Sequence, residues 1–245
     1  MPVRSRSLIV AAGIALLAAG LLTACATPAG SGGTPSSSAT TQGDDSDEQE
    51  VGAAWLDGGR MIGIVTQGSS TCVPTAEEAT YSNGVMKVTL VEAAGTTACT
   101  RDLVPRVSLV GTPEGVDPAD GVEIEVTTAE GMHGDTDLEG VPDLAVGGET
   151  DYLPSAGWTD VDGQFVILSW GSSTCAPVIE NTEATGANEV TVTFVTPPAS
   201  QVCTMDMAPR GVVTAVNGLE DEDADTFAIL TGAEFDNVRI PIYPN

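Results

Sequence analysis

One stretch occurs twice in this chain, as Gly68-Ser69-Ser70-Thr71-Cys72-Val73-Pro74 and again as Gly171-Ser172-Ser173-Thr174-Cys175-Ala176-Pro177. Each copy follows a tryptophan, Trp55 or Trp158. Each precedes a second shared stretch, Cys99-Thr100-Arg101-Asp102-Leu103-Val104-Pro105-Arg106 and Cys203-Thr204-Met205-Asp206-Met207-Ala208-Pro209-Arg210. Shared stretches in one order, at matching spacing, make the 245 residues a duplication of one unit. Four of the five cysteines fall inside it. Four cysteines allow three pairings. Duplication favours Cys72–Cys99 and Cys175–Cys203, because a unit that once folded alone carried its own bond. Each bond closes a loop of about 28 residues, worth roughly 3.5 kcal/mol by chain entropy.

Between these stretches the chain alternates with period two. Val122, Ile124 and Val126 face one way, and Glu123, Glu125 and Thr127 the other. Residues 61–66, 85–91 and 106–110 also read as strands. In the second copy so do 164–170, 190–195, 211–216, 226–231 and 238–242. Turn residues separate them, among them Asp57-Gly58, Asn83-Gly84, Asp120-Gly121 and Asp162-Gly163. No segment has the period of an amphipathic helix, though residues 74–79 could form one turn. The expectation is an all-β protein of two tandem β-sandwich-like or open-barrel repeats, 51–145 and 146–245, each with one disulfide. The order of Cys and Trp does not match the immunoglobulin pattern.

The N-terminus carries an address. Arg4 and Arg6 precede an apolar run from Leu8 to Leu22, about 15 residues against the roughly 20 that span a bilayer. This pattern reads as a signal peptide. It ends in Leu22-Thr23-Ala24-Cys25, which resembles the lipobox of bacterial lipoproteins at every position. The resemblance implies removal of 1–24, a diacylglyceryl group on Cys25 and a place on the extracytoplasmic face of the cell membrane. Residues 25–50 then form a tether of Ser, Gly, Thr and Pro that ends in acids, with no apolar period and no core to bury.

Lys and Arg number 8 against 35 Asp and Glu, a net charge of −27 that loss of Arg4 and Arg6 makes more negative. A field of that sign repels phosphate, so nucleic acid and anionic lipid headgroups are excluded as partners through a basic patch. The membrane is met through the lipid anchor only.

Candidate chemistry is sparse. Gly-Ser-Ser-Thr-Cys suggests a nucleophile, Ser70 or Cys72, but lacks the second glycine of a nucleophile elbow. The single histidine, His133, and the single lysine, Lys87, could serve at most one copy. The stretch reads instead as a turn whose hydroxyls bond to backbone and whose Cys crosslinks it. Asp102 and Asp206 each precede an arginine by four residues, Arg106 and Arg210, which predicts a repeated Asp–Arg pair; the competing reading is a ligand-binding arginine. Asp135, Asp137 and Glu139, with Gly140 next, resemble the start of an EF-hand-type or thrombospondin type 3-type calcium loop, but Glu139 and Val146 depart from the pattern. Asp221, Asp223 and Asp225 alternate similarly without the glycine. Trp55 and Trp158 read as core anchors. Trp170 has no counterpart in the first repeat, where Gln67 stands, and is the aromatic that fits a site.

These residues assign no catalytic site and no cofactor, with calcium as the sole metal candidate. They point to a lipid-anchored, extracytoplasmic, non-catalytic binding or accessory protein with an envelope protein or glycan as partner. The alternatives are an extracytoplasmic hydrolase or transferase, and the solute-binding subunit of a transporter. A binding module would show a face lined by residues that differ between the repeats.

Overall fold

Every long alternating segment of the sequence forms a strand in the computed structural model, which describes residues 49–92, 98–219 and 225–245. Cys25, the leader and the tether through residue 48 lie outside the described residues, as do Asp221 and Asp223. The first repeat contains β1 (Val51–Leu56), β2 (Met61–Gly68), β3 (Thr75–Ala76), β4 (Thr80–Ser82), β5 (Val85–Val91), β6 (Val104–Gly111), β7 (Val122–Thr128) and β8 (His133–Leu138). The second contains β9 (Ser155–Trp158), β10 (Gln164–Gly171), β11 (Ile179–Gly186), β12 (Glu189–Phe194), β13 (Ala208–Ala215), β14 (Phe227–Gly232) and β15 (Phe235–Tyr243). The fold is all-β; a single 3-10 turn at Asp57–Gly59 is its one helical element among the described residues. Residues 74–79, long enough for a helical turn, instead pair with β5 through β3.

The two repeats share a topology. In the first, β1-β2-β6 form an antiparallel sheet, and β7 pairs parallel with β5 and antiparallel with β8. In the second, the same strands join into one sheet of order β11-β12-β14-β15-β9-β10-β13, because β15 pairs with β9 at Ile242 and Tyr243. That sheet curls until its ends meet, where the Thr182 and Thr214 hydroxyls lie 2.8 Å apart. In the first repeat the counterpart of the β15–β9 pairing is a backbone hydrogen bond, Gln49 N–H to His133 O at 2.9 Å, which joins the segment before β1 to β8.

Alternation assigns each strand's two faces. Ala53, Trp55, Ile62, Ile64 and Val110 point into the first repeat against Met86, Val88, Ile124 and Val126. Trp158, Phe165 and Ile167 point into the second against Val190, Val192, Ala228 and Leu230. The opposite faces of β1-β2-β6 and β9-β10-β13 are apolar as well and meet in a third core of Ala54, Leu56, Val65, Val107, Val166 and Leu168. The sheets thus stack as layers, with the three-stranded walls back to back in the middle, and the described residues belong to one compact unit.

Glycines set the closeness of that contact. A Cβ on Gly157 would lie 2.3 Å from Trp55 O, and one on Gly211 would lie 2.9 Å from Val107 Cγ1. A Cβ on Gly63 would lie 3.1 Å from Val166 Cγ1. Gly63 and Val166 occupy equivalent strand positions in the two repeats, as do Val107 and Gly211. At these two pairs of positions one copy carries a side chain and the other a glycine. Beside it, Asp57, 6 % exposed, is held by Arg60 through two 3.0 Å bonds and by the Thr150 hydroxyl. Its own N–H donates to the Ser155 hydroxyl at 2.8 Å, which pins the inter-repeat segment.

Candidate functional site

The repeated stretches form two disulfide-stapled turns of one design. Cys72 bonds to Cys99 and Cys175 to Cys203. Around each bond runs the same polar network. Ser69 and Thr100 hydroxyls lie 2.8 Å apart, as do those of Ser172 and Thr204. Thr100 N–H donates to the Thr71 hydroxyl at 3.1 Å, and Thr204 N–H to that of Thr174 at 3.1 Å. Two hydroxyls in each turn accept from a turn amide, Ser69 from Thr71 N–H and Thr71 from Thr100 N–H, and likewise Ser172 and Thr174, while the others tie the hydroxyls together.

The Asp and Arg of the second stretch hold this turn separately and not as a pair, so the expected Asp–Arg contact is corrected. Asp102 accepts from Ser70 N–H at 3.3 Å, and Asp206 from Ser173 N–H at 3.2 Å. Arg106 instead donates to Cys72 O and to Glu92, and Arg210 to Cys175 O, Trp170 O and Glu234. In each turn the guanidinium lies flat over the first glycine: a Cβ on Gly68 would be 2.4 Å from Arg106 Cζ, and one on Gly171 2.8 Å from Arg210 Cζ. That contact explains the glycine of the repeated motif. Hydrogen bonds from the serine, then from Thr100 or Thr204, hold both carboxyls down to about 2.

The staples frame a common cleft. A groove of about 580 Å³ follows the seam between the repeats, with Ser70 from one turn and Ser173 from the other in its walls. Val104, Val107, Val178, Val212 and Val213 line it, with Arg106 and Arg210 from the two copies. A second hollow of about 400 Å³ exists beside the staple of the second repeat, lined by Trp170, Pro177, Val195, Pro197, Pro198 and Glu234. Trp170 is half-buried and meets Tyr152 edge-on at 5.1 Å. The segment after it in sequence carries exposed apolar side chains, Val202 at 90 %, Met205 at 104 % and Met207 at 61 %. The position equivalent to Met205 is Arg101 and that equivalent to Trp170 is Gln67. The repeats therefore differ at Trp170 and at Met205.

Other candidates disperse. Asp135 and Asp137 lie on β8, opposite Glu125 and Glu123 of β7. A strand spaces alternate side chains about 7 Å apart, so the loop a calcium site needs is absent there. No cluster of metal-binding side chains occurs among the described residues. Lys87 pairs with Glu125 on the open sheet face, and His133 is exposed on β8. Trp55 and Trp158 are core residues, at 0 % and 7 % exposure. Sequence reasoning missed the cleft floor itself. Runs with no polar face, Ala53-Ala54-Trp55-Leu56 and Phe165-Val166-Ile167-Leu168, mark sheets covered on both sides and so the stacked walls, but not the floor beside them.

No protein-family model, no curated protein and no solved structure matches this chain. Among the described residues no helix is long and apolar enough to cross a membrane.

Proposed function

We propose that this protein is a lipid-anchored binding or accessory protein on the extracytoplasmic face of the cell membrane, non-catalytic, with an envelope protein or glycan as its partner. The observation that carries the binding reading is the seam cleft, an open apolar groove framed by two rigid staples and continuous with a hollow whose lining differs between the repeats. Apolar surface of this extent, displayed on a disulfide-braced base, loses little conformational freedom when a partner covers it. The hydroxyls and carboxylates beside it are spent on holding the turns. The anchor rests on the lipobox-like Leu22-Thr23-Ala24-Cys25.

The anchor is tested by fractionation. Wild-type protein is expected in the membrane fraction, with globomycin blocking its processing, and Cys25→Ser is expected to be released or left unprocessed. Identical fractionation of the two would contradict the anchor.

A further inference from the structure

The two staples stand side by side, since Ser70 of the first and Ser173 of the second line one cleft. Leu103 and Met207 directly precede β6 and β13 where those strands leave the staples. The described chain begins beside them. The Gln49 side-chain amide donates to Gln67 O at 3.1 Å. Gln67 in turn comes just before the first staple and pairs with Pro105 of β6, two residues beyond Leu103. Whatever joins Gln49 to Cys25 therefore leaves the folded unit at its staple end.

That end differs in composition from the rest of the surface. Among the described residues ten large apolar side chains stand exposed, and six of them belong to the staple segments 69–74, 98–103, 172–178 and 199–207. They are Val73, Leu103, Val178, Val202, Met205 and Met207. The same segments hold only three charged residues, Arg101, Asp102 and Asp206, in a chain with 8 basic and 35 acidic ones. Both carboxylates accept from a serine N–H of their own turn. Apolar side chains scattered singly over a surface need no partner, but gathered on charge-poor loops they mark a contact with something apolar. The anchor decides what that is, because a molecule tethered from this end meets the bilayer with this end first, at high effective concentration.

We propose that the staple loops dip into the surface of the bilayer that carries the anchor, with Leu103, Val202, Met205 and Met207 among the lipid chains. This goes beyond the anchor proposed above and rests on it, since the loops add a protein contact to the acyl chains. The contact is apolar and needs no basic patch, which a net charge of −27 would not supply. Arg101, exposed beside Leu103, stays among the headgroups, as a long basic side chain does at an interface.

The test uses the chain from Cys25 onward, its Cys25 thiol coupled to a maleimide-bearing phospholipid in phosphatidylcholine vesicles. The other four cysteines are held in disulfides and do not react. The reference is the same chain capped with N-ethylmaleimide, without vesicles. Dilute hydrogen peroxide passes one oxygen to an exposed methionine thioether, giving the sulfoxide and water, and peptide mass mapping reads the rate at each site. Met205 and Met207 are expected to oxidise at least about 10-fold more slowly on vesicles, the factor that burial of one such side chain supplies. Met61, at the other end of β2 and about 23 Å from Gly68, is expected to keep its rate. The Leu103→Glu, Val202→Glu double variant, altered at two exposed positions, is expected to return Met205 and Met207 to the reference rate. Unchanged oxidation of Met205 and Met207 on vesicles, or protection that survives the double variant, would overturn the proposal. So would slowing that grows with protein concentration without vesicles, since a second copy would then cover the loops. Coupling replaces the cell's own lipidation, so a failed anchor shows in fractionation and a failed loop contact in the oxidation rates.

Discussion

Single residues in the two staples have opposite electrostatic roles from those near the inter-repeat contact. Asp102 and Asp206 have pKa values lowered from 3.8 to about 2 by the serine and threonine bonds they accept. A depressed carboxyl stabilises the fold above its unfolded pKa, and that contribution is lost as pH falls through the folded value. Acid titration from pH 4 to 2 should therefore unfold wild type more steeply than the Asp102→Asn, Asp206→Asn double variant. Parallel curves would contradict the assignment. Asp160 runs the other way: burial, then Asp137 and Glu50, raise its pKa. Its ionised form weighs against the fold, so Asp160→Asn should gain stability at neutral pH and lose that advantage below about pH 4. The first glycine of each staple is equally specific. Gly68→Ala or Gly171→Ala must displace a guanidinium from a carbonyl it caps, and each is expected to cost about 1–2 kcal/mol in denaturant unfolding. A neutral result at both positions would show that the arginines are free to move.

Elements show how much the sequence could reveal. Nine segments read as strands correspond to β2, β5, β6, β7, β10, β12, β13, β14 and β15, most because a polar and an apolar face leave a period-two trace, and β2 and β10, covered on both faces, because β-branched and aromatic residues run between turn residues. The other strands were opaque for different reasons. β1 and β9 are buried on both faces, so Val51-Gly52-Ala53-Ala54-Trp55-Leu56 carries no alternation. β11, Ile179-Glu180-Asn181-Thr182-Glu183-Ala184-Thr185-Gly186, is a mostly exposed edge with few apolar residues. β8 has Asp135 and Asp137 at its exposed positions, where a loop and a strand look alike in sequence. The disulfide pairing was legible because duplication singles out one of three solutions. The cleft was not, since it requires knowing that the apolar faces of two sheets are pressed together. Non-reducing peptide mapping should recover 72–99 and 175–203, closing loops of 27 and 28 residues of separation. Replacing Cys175 and Cys203 by Ser should cost roughly 3.5 kcal/mol. A bond between the repeats would overturn the staple design.

The whole molecule is held by the contact between β1-β2-β6 and β9-β10-β13, and the seam cleft exists only because the two walls stay together. Repeats that merely touched would unfold independently, and a defect in one would leave the other unchanged. Here Leu56, Val107, Val166 and Leu168 share one core, and Gly157 admits the backbone of Trp55. Gly157→Ala sets a methyl against that backbone and should cost about 1–3 kcal/mol, as overpacking does. Native-state hydrogen exchange reads where that loss appears. Gly157→Ala, a change in the second repeat, is expected to lower protection by the same amount in β5 and β7 of the first repeat as in β12 and β14 of its own. Loss confined to β12 and β14, with β5 and β7 as protected as in wild type, would contradict a shared core and the cleft built on it.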